Sequence, residues 1–340
     1  MTVFITGGAG FIGCNLADYH LRRGETVVIF DNLSRRGTDK NLAWLQQNHG
    51  ERVSVVRGDV RDYAALQAAL PTETDRVYHM AGQVAVTTSV VNPREDFEIN
   101  ALGTFNMLEA VRANAPKAIT FYASTNKVYG GMEDVAIEEG EQRYYYRDLP
   151  LGIPEDRLLD FHSPYGCSKG TGDQYVRDYA RIYGLKTVVF RQSCIYGLRQ
   201  FGVEDQGWVA HFCIAARLGK PISIYGNGKQ VRDVLWIDDL VAAYQAAAAH
   251  IDVAAGQIYN IGGGSDITMS IWTEFGPLLA ELAGHPIPVI YGDWRPGDQP
   301  VYISDIRKAK HELGWQPQVS MREGVSRLWN WINTNPNLFD

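Results

Sequence analysis

Apolar residues along the first 190 positions fall into short unbroken runs separated by longer stretches of helical spacing. The runs at residues 2–6, 26–30, 53–57, 75–79, 117–122 and 186–190 predict strands. Runs such as V-V-I-F and A-I-T-F do not alternate with polar residues, so both faces of each strand are expected to be covered, as crossover helices cover a parallel sheet. Residues 11–24, 93–115 and 164–184 have helical length, and Gly24, Gly58 and Gly184 mark the returns. This is the rhythm of a doubly wound sheet.

Beyond residue 192 the rhythm breaks into short strands (I-S-I-Y, Q-V-R-D-V-L), glycine turns (G-N-G, G-G-G) and scattered helices. Residues 231–262 read as a return to the first lobe. The predicted architecture is α/β: a Rossmann-type doubly wound parallel sheet in residues 1–192 plus 231–262, and a smaller, discontinuous C-terminal substrate-binding domain in 193–230 plus 263–340. The connection 130–163, with R-Y-Y-Y-R inside it, is long for a compact domain and reads as a binding loop or as a solvated loop pinned by its tyrosines.

Composition narrows the function. Lys and Arg total 32 against 39 Asp and Glu, a net charge of −7, which argues against an affinity built on neutralising nucleic-acid phosphates. The four cysteines are far apart and the eight His lack ligand spacing, so neither disulfides nor a metal site is expected. No run reaches the ~18 apolar residues of a membrane span. Met1 leads directly into a strand-like run without a basic leader, so folding is expected to start at residue 2, in the cytoplasm.

Candidate chemistry begins after the first strand, where G-G-A-G-F-I-G puts Gly7, Gly10 and Gly13 just before a helix. Glycines there let backbone N–H groups and the helix N-terminus approach a pyrophosphate. The second strand ends at Asp31, whose carboxylate can accept from ribose hydroxyls and repels a 2′-phosphate, so NAD is expected over NADP, with Arg35 and Arg36 keeping the phosphate form open. Asp59-Val60 after the third strand and Ala81-Gly82 after the fourth border the same ligand, Asp59 alternatively capping the helix near Tyr63.

Tyr165 and Lys169, four apart on a helix with Ser163 as N-cap and Pro164 in its first turn, share one face. A neighbouring ammonium, a cationic nicotinamide and the helix N-terminus all favour a phenolate, making Tyr165 a usable proton acceptor. S-T-N-K-V-Y-G follows the fifth strand, where Thr125 or Ser124 can hydrogen-bond the reacting hydroxyl. Together these predict alcohol–ketone chemistry by hydride transfer.

The turn T-G-G-A-G-F-I-G, S-T-N-K-V-Y-G, Y-G-C-S-K, R-D-V-L-W-I-D-D and L-G-W-Q-P span almost the whole chain and resemble the extended short-chain dehydrogenase/reductase family, specifically its nucleotide-sugar epimerases and dehydratases. The resemblance implies a catalytic set of Tyr165, Lys169, Thr125 and Ser124. It also implies tightly bound NAD touched further by Phe11, Ile12, Asn32, Gln83 and Asn100, with Tyr165 and Lys169 on the cofactor too. Expected substrate contacts are Thr87, Thr88, Asn126, His162, Arg199, Gln206, Arg232 and Arg295, with Ser89 nearby. Family dehydratases carry Asp-Glu after the catalytic Thr where this chain has Asn126 and Lys127, so elimination is disfavoured, and Cys194 replaces the Asn of many 4-epimerases. The segments G-Q-V-A-V-T-T-S, D-F-E-I-N and D-Q-G-W-V further imply oxidation and re-reduction at C2 of a CDP-linked 3,6-dideoxyhexose. The alternatives are 4-epimerisation of a UDP-hexose or a related nucleotide sugar, and a non-catalytic NAD-binding regulator. A homodimer or homotetramer is implied as well.

Overall fold

The computed structural model describes residues 1–295 and 298–339. Seven strands form the central sheet: β1 (Thr2–Thr6), β2 (Thr26–Asp31), β3 (Val53–Arg57), β4 (Arg76–His79), β5 (Ile119–Thr125), β6 (Thr187–Gln192) and β7 (Ile258–Ile261). All pairings are parallel, in the order β7-β6-β5-β4-β1-β2-β3. The order reverses between β1 and β4, and their carboxyl ends open a crevice there.

Strand alternation explains the unbroken apolar runs. Val3 and Ile5 enter the core on one face and Phe4 the core on the other, all fully buried. Helices α1 (Phe11–Arg22), α2 (Thr38–His49) and Ile237–Ala249 cover the first face. The second is covered by α3 (Tyr63–Ala69) and by helices Gly103–Asn114 and Pro164–Tyr183. The first core continues from the sheet into Phe275, Leu328 and Trp329, so both lobes share it.

Three expectations change. Strand Val231–Trp236 does not join the seven-stranded sheet; it pairs with Cys194–Tyr196, Thr268–Ser270 and Val301–Tyr302, and the chain returns only through helix Ile237–Ala249 and β7. All six of its residues are buried, and such a run looks alike in any central strand. Segment 93–115 is three pieces, Pro93–Phe97, a π-helical turn Glu98–Leu102 and Gly103–Asn114. The connection 130–163 contains an antiparallel hairpin, Ile137–Glu139 with Tyr144–Tyr146. It is pinned to the smaller lobe by the Arg143–Glu274 pair (2.5 Å) and by the Tyr146 hydroxyl donating to the Val301 carbonyl (2.8 Å). Among the described residues no helix is long and apolar enough to cross a membrane, and no cluster of metal-ligating side chains forms.

Candidate active site

The first turn is shaped by what a side chain would strike. Gly7 has φ +66°, and a Cβ there would meet the Ala81 backbone nitrogen at 2.6 Å; one on Gly13 would meet the Gly7 carbonyl oxygen at 2.2 Å. Glycine therefore lets β1, the end of β4 and α1 close together. The turn is tied to β2, because Asp31 accepts the Ala9 N–H (3.0 Å) and the Leu33 N–H (2.8 Å). Burial pushes the Asp31 carboxyl up, and those two N–H groups pull against it.

A cleft of about 570 Å³ opens here. Gly7, Gly10, Phe11, Ile12, Gly13, Asp31, Asn32, Asp59, Val60, Ala81, Gly82 and Gln83 all line it. Asp59 is not a helix cap: Asp62 accepts the Ala65 N–H, while Asp59 pairs with Arg61 (2.8 Å) and takes a bond from Asn32 (3.1 Å). Arg61 holds its carboxyl down at about 2. Asn41, which sequence reasoning missed, also lines the cleft, and its Oδ1 is buried without a protein partner. No local pattern on α2 signals it.

Helix Pro164–Tyr183 begins as its residues dictate, with the Ser163 hydroxyl accepting the Gly166 N–H (3.0 Å) and Pro164 in the first turn. Tyr165 and Lys169 are both buried. Burial pushes the Tyr165 phenol up to about 12, opposed by the nearby Thr125 hydroxyl and by the Arg35 charge. Burial pushes Lys169 down to about 7, opposed by Asp96 and Asp173, and its ammonium lies 4.3 Å from the Tyr122 ring centroid. A Cβ on Gly82 would sit 3.0 Å from Asn100 Oδ1 and 3.8 Å from Lys169 Nζ, which brings the cleft wall to helix Pro164–Tyr183. Asn100 fastens that wall by accepting the Gln83 N–H (3.0 Å) and donating to the Gln83 carbonyl (3.0 Å).

Thr125 and Ser124 part company. The Ser124 hydroxyl donates to Asp173 (2.8 Å), itself bound by Nε and Nη2 of the buried Arg191 guanidinium, while Thr125 faces Tyr165. Neighbouring residues of a strand point to opposite faces.

Of the expected substrate contacts, Arg232 pairs with Asp298 (2.6 Å). Lys127, which was not among them, reaches Gln299 (3.4 Å). Burial and Arg232 together push Lys127 down to about 8. Cys194 lies in the field of both cations, its thiol pushed up by burial. Asn126 accepts from the Thr125 hydroxyl (3.3 Å). Arg295 stacks on Tyr225 (3.9 Å) and pairs with Asp205 (3.1 Å). Arg199 and Gln206 line the cleft itself. The Arg199 guanidinium stacks on Trp44 (3.9 Å) and Trp331 (5.7 Å), and Gln206 is bonded by Arg35 across the dinucleotide cleft, which both residues line. Thr87 and Thr88 are exposed on helix Val86–Val91, Thr88 at the cleft. Ser89 accepts the Tyr165 N–H (3.1 Å), and His162 is exposed just before the helix cap.

The chain is similar to known nucleotide-sugar enzymes along almost its whole length. The family model described as GDP-mannose 4,6 dehydratase matches residues 4–328. The chain is 44% identical to CDP-paratose 2-epimerase of Salmonella typhi over 340 residues, covering 98% of this chain and 100% of that one. It superposes on the UDP-glucose 4-epimerase of Thermotoga maritima, solved with UDP-glucose, with a TM-score of 0.84 and 29% identity, covering 99% of this chain and 100% of the other. A dTDP-glucose 4,6-dehydratase of Streptomyces venezuelae, solved with NAD bound, superposes with a TM-score of 0.84 and 28% identity, covering 99% and 98%.

Proposed function

The chain belongs to the GDP-mannose 4,6-dehydratase family, within the extended short-chain dehydrogenases/reductases, and on that premise we propose that it is an NAD-dependent epimerase interconverting CDP-paratose and CDP-tyvelose at C2. The observation that carries this reading is the gathering of the Tyr165 phenol, its Thr125 partner and Lys169 at the carboxyl end of β5, beside a dinucleotide cleft.

The cleft fits NAD: a glycine turn leads into the N-terminus of α1 for a pyrophosphate, Asp31 offers acceptors at the end of β2, and Asn41 holds an unused one. Bound NAD supplies a hydride acceptor that returns the same hydride. Tyr165 Oη takes the proton of the C2 hydroxyl, and Thr125 Oγ1 steadies that oxygen by a hydrogen bond. The Lys169 charge favours the phenolate that Tyr165 needs to be. When the keto sugar presents its other face, Tyr165 gives the proton back, and no net redox change results. Lys127 and Arg232, two cations crowded together with one carboxylate, suit the diphosphate. Asn126 and Lys127 provide no carboxylic acid to protonate a departing hydroxyl, which supports epimerisation over dehydration.

The seven-stranded lobe holds the cofactor in this reading, and the smaller lobe the nucleotide sugar. Exposed Phe105 and Tyr175, ring centroids 5.8 Å apart, support a homo-oligomer, countable by light scattering. Four free thiols suit a reducing cytoplasm.

The test is incubation of the purified protein with CDP-paratose deuterated at C2. CDP-tyvelose keeping its deuterium at C2 is expected. Inversion at C4 of a UDP-hexose with CDP-paratose untouched overturns the assignment.

A further inference from the structure

Asp96 is 1% exposed, belongs to helix Pro93–Phe97 and has so far been given no part in the reaction. One of its oxygens accepts from the Gln83 amide (2.9 Å) and the Asn100 amide (3.1 Å), and the other from the Ser168 hydroxyl (2.5 Å). These donors come from the loop after β4, the π-helical turn and the catalytic helix. All are neutral, so among the described residues this buried carboxylate has hydrogen bonds and no cation.

Lys169 presents the complementary deficit. It is 5% exposed, follows Ser168 directly, and makes no ion pair among the described residues. Its other acidic neighbour, Asp173, is engaged by Arg191 through two bonds (2.9 and 3.0 Å). A buried charge without a counter-charge is costly. Lys169 Nζ and the Asn100 amide that binds Asp96 both lie against Gly82.

We propose that Asp96 is a positioning residue for the reaction: it is the counter-charge of Lys169, and its hydrogen bonds lock the catalytic helix to the cofactor-lining loop at Gln83. The proposal rests on the reading of Lys169 as partner of Tyr165. The other groups facing this pair are accounted for. Tyr122 turns its ring face to the Lys169 ammonium and donates its hydroxyl to the Lys169 carbonyl (3.2 Å), His79 is held neutral by burial between Thr6 and Thr104, and Arg35 acts on Tyr165 from the cleft. Glu95 is exposed, while Glu98 pairs with Arg94 and Glu109 with Arg112. Because Asp96 also opposes ionisation of Tyr165, removing its charge acts on both groups in the same direction.

The test is Asp96→Asn, which keeps shape and acceptor but removes charge. The Lys169 side-chain titration, followed by NMR of 13C-lysine-labelled protein without cofactor and assigned with Lys169→Arg, is expected to move at least about one pH unit lower. In the loaded enzyme both limbs of the kcat profile move to lower pH. Ser168→Ala, which removes a hydrogen bond but leaves the charge, leaves the Lys169 midpoint in place. If Asp96→Asn does not fold, Asp96→Ser is read the same way. An unmoved Lys169 midpoint in the charge-free variant overturns the proposal whatever the substrate is. A shifted midpoint in a protein inactive on every nucleotide sugar upholds the pairing and removes the function assigned above.

Discussion

Replacing Tyr165 by Phe tests the reaction at a single atom. The ring is buried and keeps its packing, so the folded state loses little beyond the polar proximity of the Thr125 hydroxyl, at most about 1 kcal/mol. For 340 residues that corresponds to a melting shift of about 1–2 °C. The chemical loss is larger. With the phenol at about 12, ionising it at pH 7 costs about 7 kcal/mol, which the Lys169 charge and the bound cofactor have to offset. An oxygen held in that field has no substitute in Phe. A placed general base accounts for about 10²–10⁴ in rate, so kcat for C2 inversion is expected to fall about 10³-fold. The assay follows CDP-paratose and CDP-tyvelose by NMR, while NAD released on denaturation and the melting temperature are measured on the same sample. A variant that keeps its NAD and runs within tenfold of the wild-type rate refutes the reasoning, because the proton would then be moving without this phenol.

Three further outcomes are expected. Burial drives His79 down to about 3, so the unfolded chain binds a proton below pH 6.5 that the folded chain refuses; stability falls as pH drops from 6.5 towards 3, by about 1.4 kcal/mol per unit. His79→Gln should remove about 2 kcal/mol from the stability difference between pH 7 and pH 5 in urea titrations, and an unchanged difference would assign the acid sensitivity elsewhere. Asp173→Asn strands the buried Arg191 guanidinium and should cost about 3–5 kcal/mol in unfolding free energy; a loss under about 1 kcal/mol would mean that the pair is dispensable. Gln206→Ala removes the Arg35 contact across the cleft, and stopped-flow displacement should show NAD leaving about tenfold faster, whereas an unchanged off-rate would deny that contact a role in retention.

Local signals in the chain were sufficient for the parallel strands, the glycine turn, Asp31 and the four-residue spacing of Tyr165 and Lys169. Each depends on neighbours within a few residues: the absence of a Cβ, a strand end, one helical turn. Tertiary packing decided the rest. Ser124 and Thr125 are equivalent as adjacent hydroxyls, until the strand turns one to Asp173 and the other to Tyr165. Arg199 and Gln206 look like sugar contacts, until their segment folds across α2 and the dinucleotide cleft. Asp96 and Lys169 are 73 positions apart, and only the π-helical turn and the shared loop at Gln83 bring their charges to one buried place. Short-range sterics and periodicity are written residue by residue, whereas the pairing of buried charges depends on which distant surfaces exclude water together.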